Sequence, residues 1–214
     1  MIDLTKAQKG FWAVFLASAM VAGASSFADS QSIDASDATF NEAVKAVKDK
    51  DFGHAMTLFT LQAENHQHDA QYNLALLLEA GKGAPQDFVS ALDWAWSAQL
   101  GGITDAEELA DGLADILPEG AIAAVRKSVA TRLQARIDAG DAAAIPQFAA
   151  YQLILLEEPN YETAYIWYSI AAALGLKGTL EARDDARKNV EDERIIELQA
   201  EAGKIYESLN VNLD

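Results

Sequence analysis

The chain has no cysteine in its 214 residues. Disulfides, thiolate metal sites and a cysteine nucleophile are therefore excluded. Positive charge is also short, 16 basic residues against 33 acidic, for a net −17. A surface of this sign repels phosphate backbones, so nucleic acid is excluded as a partner class and anionic lipid headgroups are disfavoured, whereas a basic protein or peptide suits it. Nucleophile patterns are missing too: there is no Ser-x-x-Lys, no Gly-x-Ser-x-Gly and no His-Glu-x-x-His. The Gly81-Lys82-Gly83 stretch lacks the further glycines and the terminal Lys-Ser/Thr of a phosphate loop. Acid pairs such as Glu107-Glu108, Glu157-Glu158 and Asp184-Asp185, and the run Glu191-Asp192-Glu193, lack the alternating oxygen pattern of a calcium loop and read as solvated helix faces.

One long uncharged run is present, at the start. Lys6 and Lys9 precede Phe11-Trp12-Ala13-Val14-Phe15-Leu16, which fades into small residues, so residues 1–28 read as an export signal. Cleavage after Ala24 or Ala28 would leave Ser25 or Asp29 first, place the mature chain in the periplasm and leave it without stable membrane insertion. The competing reading is an inner-membrane anchor, since residues 10–28 supply 19 uncharged positions against the roughly 20 that span a bilayer. Residues 29–37 are polar and poor in bulky side chains, a flexible lead-in.

From there the chain repeats. Asp51-Phe52 with Ala55 recurs as Asp87-Phe88 with Ala91, 36 positions on. A shift of 73 carries Phe88, Ala91, Trp94, Ala98 and Gly102 onto Tyr161, Ala164, Trp167, Ala171 and Gly175, and Glu108, Asp111 and Ile122 onto Glu181, Asp184 and Ile195. Since 73 is close to twice 36, one period runs through the chain. Units this short cannot bury an apolar face alone and must stack. Within residues 69–102, Ala70, Leu74, Leu77 and Leu78 fall at helical spacing, Gly81 and Gly83 close the first helix, Pro85 bars its continuation, and Asp87 caps the second.

Ala70, Tyr72, Leu74, Gly81, Gly83, Pro85, Asp87, Ala91, Trp94, Ala98 and Gly102 together resemble a Sel-1-like repeat, a relative of the tetratricopeptide repeat. Two positions depart from that pattern: Ala75 where the family usually has Gly, and Ala95 where it usually has Tyr. The expected fold is all-α, an α-solenoid of stacked antiparallel helical hairpins (a tetratricopeptide-like superhelix) over residues 38–210, with hairpins at 38–64, 69–102, 105–138, 142–175 and 178–209. Asp105 and Glu108 have capping-box spacing, Pro118 suits the first residue of a helix, and Pro146 suits a helix start. The last hairpin, with Ile195, Leu198, Ala202, Ile205 and Leu209 on one face, reads as a polar cap. Trp94 and Trp167 share a repeat position and are expected in the core, with Trp96 outside it.

His66-Gln67-His68-Asp69 is the one cluster of metal-ligand types, but histidines two apart point to different sides of a helix, and His54 has no Ser or Asp placed to make it a base. No catalytic residue, cofactor or metal ligand is assigned. By similarity to tetratricopeptide hairpins, Tyr72, Leu76 and Glu79 would turn towards a groove and bind a protein partner. The leucine-rich helix also admits the alternative that it is buried between neighbours. The resemblance implies a non-catalytic protein–protein interaction scaffold or regulator in the bacterial envelope. Alternatives from other classes are an envelope enzyme acting on peptidoglycan or a β-lactam, and a membrane-anchored structural protein.

Overall fold

A computed structural model describes residues 36–211. The export signal, both cleavage sites and most of the lead-in lie outside the described residues. Within them the chain is all-α: α1 (Asp37–Lys48), α2 (Phe52–Glu64), α3 (His68–Glu79), α4 (Phe88–Leu100), α5 (Asp105–Ile116), α6 (Glu119–Asp138), α7 (Ala144–Ile154), α8 (Tyr161–Ala173), α9 (Thr179–Arg187) and α10 (Ile195–Ser208), with a 3-10 turn at Asp192–Arg194.

Sequence sets the helix starts at three equivalent places. The side chains of Asp51, Asp87 and Asn160 accept from the backbone N–H of His54, Ser90 and Thr163 at 3.2, 3.0 and 3.0 Å, opening α2, α4 and α8 in one register. Each cap is worth about 1 kcal/mol. At Asp87 the backbone N–H and then the hydroxyl of Ser90 hold the carboxyl below the usual carboxylate range.

Other starts differ from expectation. Asp105 and Glu108 form no capping box, because the chain enters α5 with Thr104 already helical and no side chain caps it. Pro118 stands one residue before α6, as its N-cap, with extended ψ. Helix α7 begins at Ala144, so Pro146 lies inside its first turn. Proline is harmless there, since first-turn N–H groups have no intrahelical acceptor.

Packing follows the expected solenoid of hairpins through α1 on α2, α3 on α4 and α7 on α8. The stretch 105–138 departs from it. Helices α5 and α6 make at most marginal contact with each other; α5 packs on α4, and α6 packs on α4 and α7. Leu117 and Pro118 are both extended, which splays the two helices apart, and the buried residues of α5 (Ala106, Ala110, Leu113) serve α4 instead. The same plan recurs after 73 residues: α8 packs with α7, α9 and α10 as α4 does with α3, α5 and α6. The larger repeating unit is thus a four-helix module around a hub helix.

The tryptophans correct one expectation. Trp96 and Trp167 are core residues, 7% and 9% exposed, while Trp94 is only half-buried. Contacted from three sides, α4 buries much of its circumference, so positions two apart can both be internal. Trp167 is covered by the Phe148 ring, edge-on at 5.2 Å. Its counterpart Trp94 has Ala75 at the position equivalent to Phe148 and keeps part of its surface open. In the last unit, Leu198 and Ala202 are buried, but Leu180 and Ile196 are 60% and 74% exposed, so this end is less polar than a cap requires.

Candidate protein-binding surface

Tyr72, Leu76 and Glu79 share one face of α3, at spacings of four and three, opposite the buried Leu74 and Leu77. Leu76 is 37% exposed, and Tyr72 and Glu79 are half-buried. Partial burial pushes the Tyr72 phenol up, with Asp105 and Glu108 adding to the shift, which places the ring beside the start of α5. Asp105, Glu107, Glu108, Asp111 and Asp115 of α5 are exposed, and none has an ion pair among the described residues. An aromatic and a leucine thus lie next to a strip of uncompensated negative charge.

A second feature, which motif reading missed, is a polar seam through the first module. Arg136 Nε donates to Asp141 at 2.8 Å and its Nη1 donates to Gln147 Oε1 at 2.7 Å. With that oxygen used, the Gln147 amide N–H donates to His68 Nε2 at 3.1 Å. With Nε2 accepting, His68 Nδ1 donates to Gln71 Oε1 at 3.0 Å, and Gln71 donates to the Ala63 carbonyl at 3.1 Å. Beside this chain, Arg132 Nη2 bonds both Asp93 and Ser97 Oγ, and its guanidinium lies 5.3 Å from the Trp94 ring centre.

The second module lacks counterparts of the seam groups on α4 and α6, and the first lacks one of Gln147 on α7. At 73 residues on, Asp93, Ser97, Arg132 and Arg136 become Ile166, Ile170, Ile205 and Leu209, and 73 residues before Gln147 stands Leu74. Ile166 and Ile170 are 5% and 1% exposed, so the fold packs well with hydrocarbon at these places. The polar set is therefore an addition to the first module and not a requirement of the repeat. Replacing Asp93 and Arg132 together by Ile should leave stability unchanged or raise it by up to about 4 kcal/mol. Asp93→Ala alone, which strands the arginine, should cost about 2 kcal/mol. Urea unfolding of the two variants checks this, and equal losses would mean that the pair holds the fold.

Between α4 and α6 an open cleft of about 330 Å³ adjoins the seam. Its walls are Val89, Trp94, Ala124 and Val125, with Ser90 and Ser128 beside them and the Asp93–Arg132 pair at its polar end. Arg132 Nε and Nη1 have no protein acceptor among the described residues.

The histidines have structural partners or roles. His66 closes α2 in left-handed backbone, φ 63°, and burial lowers its pKa, with Arg136 adding to the effect. His54 pairs with Glu42 at 2.9 Å. Among the described residues, no group of three or more His, Asp or Glu side chains could hold a metal ion.

Compared with known families, residues 68–95 and 155–176 match the Sel1 repeat. The chain carries Sel1 repeats in these two segments. The first matched segment contains α3 with most of α4, and the second contains α8, the hub helix of the second module, with the turns on either side of it. No curated protein matches this Sel1-repeat chain. Sel1 repeats generally mediate protein–protein interactions, and proteins built from them are typically non-catalytic scaffolds.

Proposed function

We propose that this Sel1-repeat protein is an exported, non-catalytic scaffold or regulator of the bacterial envelope that captures a basic protein or peptide through Tyr72, Leu76 and Glu79. The observation that carries this reading is the exposed Leu76 and half-buried Tyr72 beside the unpaired carboxylates of α5. An apolar contact with an acidic border suits a partner that offers a hydrophobic side chain among lysines or arginines. The charge of −17 supports a basic partner and disfavours nucleic acid. Lys6 and Lys9 before the uncharged run support export to the periplasm. Among the described residues no helix is long and apolar enough to cross a membrane.

The test is quantitative capture of envelope partners by purified protein. Tyr72→Ala with Glu79→Ala should weaken capture by about tenfold or more at unchanged helical content. The association rate should fall as salt rises. Capture at wild-type strength by the double variant would remove the α3 surface from consideration. Hydrolysis of a β-lactam or a muropeptide by the purified chain would overturn the non-catalytic reading.

A further inference from the structure

We propose that the cleft between α4 and α6 is a second recognition site, separate from the α3 surface, which takes one uncharged aromatic side chain with a hydroxyl tip, a tyrosine, from a partner polypeptide.

The second module shows what belongs at this place. Its residues equivalent to the cleft lips Val89 and Ala124 are Glu162 and Glu197. Arg194 bridges them, with Nε and Nη2 each 3.0 Å from Glu162 oxygens and Nη1 on Glu197, so a long side chain spans the mouth between α8 and α10. That pairing draws the Glu162 carboxyl below the usual carboxylate range. In the first module the residue equivalent to Arg194 is Ala121, too short to reach, and the lips are a valine and an alanine. The bridge is gone, and the place it would cover is the 330 Å³ opening.

Charge selects the occupant. Among the described residues that line the cleft, the ionic groups are Asp93 and Arg132, and they are already paired, so an incoming ion would have to compete for one and leave the other bare. Apolar lips, in place of two glutamates, likewise favour a neutral group. Trp94 offers a partly open ring, and aromatic pairs gain about 0.5 to 1.5 kcal/mol beyond the area they bury. The free Nε and Nη1 of Arg132 can donate to a hydroxyl oxygen at the polar end. A volume of about 330 Å³ lies at the lower limit of small-molecule pockets and suits one large side chain better than a cofactor.

The experiment titrates N-acetyl-L-tyrosinamide into the full chain and follows the Val89 and Val125 methyls and the Trp94 indole by NMR. Shifts confined to these residues are expected, with N-acetyl-L-lysinamide and N-acetyl-L-alaninamide weaker by about tenfold or more. Building the second module's bridge, Val89→Glu with Ala121→Arg and Ala124→Glu, should abolish the response, as should the single cleft-filling Ala124→Phe if the triple variant does not fold. Tyr72→Ala with Glu79→Ala should leave it unchanged, which separates failure of this site from failure of the α3 surface. Absence of shifts at these residues, an equal response to the lysine or alanine amide, or a response that survives both blocking variants overturns the proposal.

Discussion

Replacing Trp96 by alanine should cost about 3 to 5 kcal/mol of unfolding free energy, a large part of the roughly 5 to 15 kcal/mol that a domain has. The indole is 7% exposed within the main core, and α4, which carries it, is the hub against which α3, α5 and α6 pack. No single neighbour can move in to fill the cavity without leaving its own place on the hub, so relaxation is limited and the cost sits high in the range. Trp94→Ala should cost about half as much, because that ring keeps part of its surface in water and packs at the edge of both core clusters. Urea denaturation curves with matched slopes give both values. A larger loss at Trp94 than at Trp96 would show that the hub does not bear on Trp96.

Gly83→Ala should lower the melting temperature by roughly 6 to 12 °C, the equivalent of about 3 kcal/mol in a chain of this size. Two separate penalties act there. Gly83 has φ +86°, where a side chain costs about 1 to 2 kcal/mol. A β-carbon on it would also lie 2.3 Å from the carbonyl oxygen of Phe52, which is backbone and can yield only by shifting the start of α2. Gly81 separates the two effects. It has φ +63°, but an added β-carbon would approach nothing closer than 3.3 Å, so Gly81→Ala should show little more than the conformational penalty. Calorimetry on the pair checks this, and equal shifts would mean that the Phe52 contact is soft.

These two positions illustrate what could be read before the fold was known. Gly81, Gly83 and Asp87 announced their roles because turns and caps are local chemistry, whereas the cap at Asn160, 73 residues after that of Asp87, came to light only in the structure. The burial of Trp96 was not legible, since it follows from three helices meeting α4, and that meeting depends on Leu117 and Pro118 directing α6 away from α5. The seam escaped for a different reason. Asp93 and Arg132 are 39 positions apart and each reads as an ordinary solvated helix residue. Comparison at the 73-residue shift holds a signal for them, because isoleucines at 166 and 205 mark both places as interior. Tyr72 and Leu76 were legible only as one face of a helix, and their acidic surroundings come from α5, which the sequence places 33 residues beyond Tyr72 at its nearest.

The hub arrangement also bears on how the chain acquires its structure. Most helix contacts join neighbours or next neighbours in sequence, so contact order is low and short loop closures suffice to nucleate either module around α4 or α8. Repeat arrays of this kind can begin folding at more than one site and propagate outwards. The Gln147–His68 bond joins positions 79 apart, from the first helix of one module to the first helix of the next. Its two ends meet only where both modules are in place, so this bond, unlike the Asp93–Arg132 pair inside the first module, reports on the register between modules and not on the folding of either one.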